Sequence, residues 1–139
     1  MPFGSVNYLA VFIAAIAGWL TGAIWYSMLG NIWLKAVGRT RKDINKARGT
    51  PAFYVPFVVA IVANIVIAFV LYGVMRHVGP LTPRAGLISG AFVWFGFVLT
   101  TMATNNAFGG RKPMLTAIDG GHWLAVLLVI GGILGAFGG

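Results

Sequence analysis

The chain has 139 residues, of which 59% are hydrophobic and only 9% charged, and its mean hydropathy is +0.89, a balance too apolar for a water-soluble domain of this size. Ten Lys and Arg against two Asp and Glu give a formal charge of +8, but these basic residues lie in or beside the connections between apolar stretches. There they signal membrane topology and argue against a nucleic-acid partner, while the absence of Cys excludes disulfides, thiolate metal sites and cysteine nucleophiles.

A length of 139 residues accommodates a few spans of about 20 residues each and no second domain, so the sequence reads as a single membrane domain over residues 1–139. The N-terminal Met-Pro-Phe-Gly-Ser has no basic residue, and the apolar run behind it is too long for a signal peptide, which predicts a retained span over residues 6–28. In that span Ala10, Ala14, Gly18 and Gly22 recur at every fourth position. They put small residues on one helix face, suited to close packing inside the monomer or, as a lesser alternative, to dimerisation. Residues 30–50 carry Lys35, Arg39, Arg41, Lys42, Lys46 and Arg48 against one Asp43. Ile32, Trp33, Leu34 and Val37 around Lys35 suggest an interfacial amphipathic segment that breaks near Gly38. Thr40 and Asp43 have the spacing of a capping box opening a short helix, and a plain solvated basic loop is the competing reading.

The second span is predicted over residues 53–75, with Pro56 in its first turn and Asn64 near its middle. An Asn at that depth bonds a neighbouring helix or, less commonly, lines a polar path. The third, over residues 85–108, has Gly86 and Gly90 on one face and a polar second half in which Thr101 and Asn105 share a face at i, i+4. A basic hairpin with Arg111 and Lys112 leads into the fourth, over residues 114–137. Eight Lys and Arg in the first and third connections oppose Arg76 and Arg84 in the second. The expected architecture is therefore an all-α, up-and-down four-helix membrane bundle in the inner membrane, with both termini on the outer, periplasmic side. The expected lipid partners are anionic head groups at the cytoplasmic face, met by Lys35, Arg39, Arg41, Lys42, Lys46, Arg48, Arg111 and Lys112.

Within the spans the one carboxylate is Asp119, three positions before His122. An ionisable group inside a membrane helix costs several kcal/mol at mid-bilayer unless it is paired, so it marks a candidate site. This topology brings Trp25 and Tyr26, and Thr101 and Asn105, to the same level. The candidate polar pocket is therefore Asp119, His122, Asn105, Thr101, Tyr26 and Trp25, with Asn64 deeper in the membrane. Three readings compete: a structural one, in which Asp119 and His122 bond neighbouring helices; a transport one, in which they relay a proton or hold a cation; and metal or haem binding, for which one His and one carboxylate supply too few ligands. Paired His motifs, phosphate-cradling loops and catalytic triads with recognisable spacing are missing from the sequence. No catalytic residue, cofactor or metal site is assigned, and an enzyme is not expected.

Trp25-Tyr26-Ser27, Thr104-Asn105 with Phe108 leading to Arg111 and Pro113, and Gly120-Gly121-His122 together resemble a family of small four-helix bacterial membrane proteins, domain of unknown function seventeen sixty-one. The resemblance covers essentially the whole chain and implies a single-domain, four-span inner-membrane protein, with no activity, substrate or site residue attached. The family pattern commonly places Tyr just before the last-span His, where this chain has Gly121. The combined expectation is a non-catalytic membrane module or accessory subunit, forming a homo-oligomer or part of a larger complex. The alternative is a small oligomeric permeation protein for protons or a small solute.

Overall fold

The computed structural model describes residues 3–139; Met1 and Pro2, which head the segment expected to be retained, lie outside them. After one 3-10 turn at Phe3–Ser5, five helices follow: α1 (Tyr8–Val37), α2 (Arg41–Ala47), α3 (Pro51–Val78), α4 (Pro83–Phe108) and α5 (Pro113–Phe137). All but α2 are long and apolar enough to cross a membrane, so the all-α, four-span expectation holds.

Each boundary has a local cause. Asn7 caps α1, its side chain accepting from the Ala10 N–H, and Gly38 closes it in the left-handed conformation (φ +81°) with its own N–H bonded to the Leu34 carbonyl. Residues 32–37, expected as an interfacial segment beyond a span ending at Met28, continue α1 without a break as its last turns, up to the expected stop at Gly38. The single Gly30 is a weak breaker, costing about 1 kcal/mol, and Leu34 is buried. At 30 residues α1 is about 45 Å long, so it outruns a hydrocarbon core of about 30 Å. The capping box of Thr40 and Asp43 is present at the start of α2. Helix α3 begins at Pro51, two residues earlier than predicted, so Pro56 lies inside the helix, where it removes one ladder bond near the exposed end.

The helices alternate in direction, and α5 is the most buried of the four. It lies between α1 and α4, while α3 packs mainly on α1. On α1 the small stripe Ala10, Ala14, Gly18 and Gly22 is buried within the monomer. Against α4 the approach is closer still: a Cβ added at Gly86 would fall 1.8 Å from the Gly131 carbonyl oxygen, and one at Gly90 2.6 Å from that of Leu127. Only glycine permits backbones to meet in this way. At the end where both termini lie, the Asn7 side chain donates to the Phe137 carbonyl at 3.0 Å, and the buried Tyr72 hydroxyl donates to that of Gly138 at 3.1 Å. The opposite end holds the basic connections.

Candidate functional site

In the half of the bundle nearer the basic connections, α1 and α5 run antiparallel and exchange side chains. The Tyr26 hydroxyl donates to Asp119 Oδ1 at 2.5 Å, and the Trp33 ring of α1 stands edge-on to Tyr26 with centroids 6.0 Å apart. Immediately beside the Tyr26–Asp119 pair on both helices, the Trp25 indole N–H donates to the Ile118 carbonyl at 3.1 Å. That carbonyl can accept it beside its own helical bond because it has two lone pairs.

Glycines on both helices make this possible, and the arrangement is reciprocal. Trp25 of α1 lies over Gly121 of α5, where an added Cβ would meet its ring at 2.8 Å. His122 of α5 lies over Gly22 of α1, where an added Cβ would meet Nε2 at 2.7 Å. The imidazole is only 8% exposed and packs on Tyr26, with ring centroids 4.9 Å apart, and on Trp123 at 4.5 Å. Its Nδ1 is buried without a hydrogen-bond partner. Tyr26 therefore touches both ionisable groups of α5, its oxygen bonding one and its ring contacting the other.

The remaining residues of the predicted pocket are placed elsewhere. Thr101 and Asn105 are exposed, and the Thr101 hydroxyl bonds back to the Phe97 and Val98 carbonyls of its own helix. The cause is a π-helical stretch at Trp94–Leu99 within α4. A π-bulge inserts one extra residue, which turns everything beyond it by about 100° relative to a continuous α-helix. The half-buried Met102 and Asn106 consequently take the inward positions, and Asn106 Nδ2 donates to Thr116 Oγ1 of α5 at 2.9 Å. Asn64 also stands apart. It is 3% exposed, its amide donates to the Ala60 carbonyl of its own helix at 2.8 Å, and its Oδ1 rests against Gly18 with no hydrogen-bond donor.

Sequence reasoning did not single out Trp94, whose indole N–H donates to the Gly120 carbonyl at 2.7 Å. An indole bonded to a backbone carbonyl leaves no paired residue in the sequence to find. Backbone carbonyls of Ile118 and Gly120 are thus held by indoles from α1 and α4, on either flank of Asp119. The cluster can fix two helix faces in register, with the phenol donating its hydrogen bond to the carboxylate. Among the described residues no three His, Cys, Asp or Glu side chains come together, so His122 and Asp119 would be the most that a metal could draw on here.

The family model described as protein of unknown function (DUF1761) matches residues 9–135, which takes in all four spans and the cluster. No curated protein and no solved structure matches the chain. By the extent of that match the chain belongs to the DUF1761 family.

Proposed function

We propose that this protein is a non-catalytic, multi-pass module of a bacterial inner membrane, acting as a subunit of a homo-oligomer or larger membrane assembly. The observation that carries the reading is the hydrogen bond from Tyr26 to Asp119. The one carboxylate within the spans is engaged by a neighbouring helix, which is what a structural joint requires. The indole bonds of Trp25 and Trp94 to α5 work in the same direction. Large apolar side chains such as Phe92, Phe95 and Phe97 on α4 and Val58, Val59 and Val66 on α3 are exposed and suit lipid or a neighbouring subunit. Eight of the ten basic residues lie at the end away from the termini, which supports a cytoplasmic placement of that end.

The test is reconstitution. Asp119→Asn lowers stability or assembly while proteoliposome proton flux stays at the empty-liposome background for both wild type and variant. A second reading, a permeation protein for protons or a small solute, draws on the buried Nδ1 of His122 and Oδ1 of Asn64, which have no hydrogen-bond partner. It requires a flux above background that Asp119→Asn and His122→Ala abolish with the fold intact. A reporter fused at Gly139 checks the orientation: activity outside the cytoplasm agrees with it, and cytoplasmic activity reverses it.

A further inference from the structure

We propose that the groove between the end of α1 and the start of α5 is a binding site for one anionic phospholipid. The cavity there has a volume of about 520 Å³ and is lined by Asn31, Ile32, Lys35, Ala36, Lys112 and Met114. That volume falls within the range of about 300–1,000 Å³ typical of small-molecule sites. Its floor is aliphatic, with Ile32 and Met114 half exposed, and its rim is cationic. Lys35 belongs to the last turn of α1 and Lys112 is the residue on which α5 starts. Arg41 of α2 joins them, because its guanidinium donates to Asn31 Oδ1 at 2.9 Å and is thereby held at the edge of the groove.

Nothing acidic lines this cavity, and both carboxylates of the chain are engaged elsewhere, Asp43 with Thr40 and Asp119 with Tyr26. Three unneutralised cations around an aliphatic floor match a phosphate that carries an acyl chain. The source is a membrane lipid because the groove lies where two spanning helices end. At that level a head group meets the lysines while its chain continues along Ile32 and Met114 toward the hydrocarbon. Lysine and arginine at this depth attract anionic head groups. The proposal holds equally for a structural module and for a conduit, so it stands or falls apart from the reading above.

The experiment is native mass spectrometry of the purified full chain in detergent, titrated with dioleoyl-phosphatidylglycerol. One lipid is retained, and Lys35→Gln/Lys112→Gln weakens it about thirtyfold, at about fivefold per lysine. Arg76→Gln/Arg84→Gln, at the other end of the bundle, leaves retention unchanged. Circular dichroism reports the fold, and Lys35→Arg/Lys112→Arg, which keeps both charges, retains the lipid and serves as the comparison should the Gln variant fold poorly. Equal retention by the two Gln variants, or loss from the Arg variant with its fold intact, overturns the proposal. Displacement of the lipid by an equal concentration of inorganic phosphate overturns the assignment to lipid and leaves a simple anion site.

Discussion

Helix α5 meets its two flanking neighbours in opposite ways. Against α4 the contact is made by missing side chains: Gly86 on Gly131, Gly90 on Leu127, and Gly135 on Thr82, with an added Cβ falling 2.0 Å from the Thr82 carbonyl oxygen. Against α1 the glycines are recesses for large rings, Trp25 over Gly121 and His122 over Gly22, and a phenol–carboxylate bond closes the seam. A backbone cannot give way as a side chain can. The α4 seam should therefore be brittle and the α1 seam adjustable, and the polar chemistry belongs to the adjustable one.

The largest effect expected from that contrast is at Gly86. Gly86→Leu drives a side chain into the α5 backbone and should cost about 3 kcal/mol or more, at or above the usual range for overpacking, read as a lower midpoint in a mixed-micelle unfolding titration. A loss below about 1 kcal/mol would mean that α4 and α5 separate easily. Gly22→Ala comes next, at about 1–3 kcal/mol, because the methyl group meets a side chain. Here a second change sharpens the comparison: adding His122→Ala should recover part of the loss, whereas no second-site truncation in α5 can relieve Gly86→Leu. If the Gly22→Ala and His122→Ala costs simply add, the imidazole does not occupy that recess.

Tyr26→Phe removes one interhelical bond and should cost about 1 kcal/mol, a magnitude usual for such bonds in membranes. The smallest effect lies outside the bundle. The Thr40 backbone N–H, then its side chain, and to a lesser degree the charge of Arg39 hold the Asp43 carboxyl below its ordinary value. Because this folded-state value is depressed, the capping box adds stability above the unfolded value of about 3.9 and loses it as pH falls through the folded one. Helix α2 should thus keep its cap at pH 7 and fray below about pH 4, followed by exchange of the Asp43 amide hydrogen. An amide equally protected on both sides of that range would show that the box does not hold α2.

Spans, their order and the basic end could be read from the sequence because hydropathy and Lys/Arg placement are properties of single segments. The Asp119–Tyr26 neighbourhood was legible for a related reason, since helix length and alternating direction fix depth. Facing was harder. One π-bulge before Thr100 exchanged Asn105 for Asn106, and apolar residues such as Trp94-Phe95-Gly96-Phe97 carry no pattern that announces an extra residue in a turn. The extent of α1 was also obscured, because charge at Lys35 marks where the membrane surface lies and not where a helix stops.

The central claim is that Asp119 and Tyr26 form a joint between α1 and α5. Its most direct test is a double-mutant cycle of Tyr26→Phe and Asp119→Asn in the same unfolding titration. A coupling of about 1 kcal/mol, with the double variant less destabilised than the sum of the singles, is the predicted result; strictly additive losses would contradict the joint.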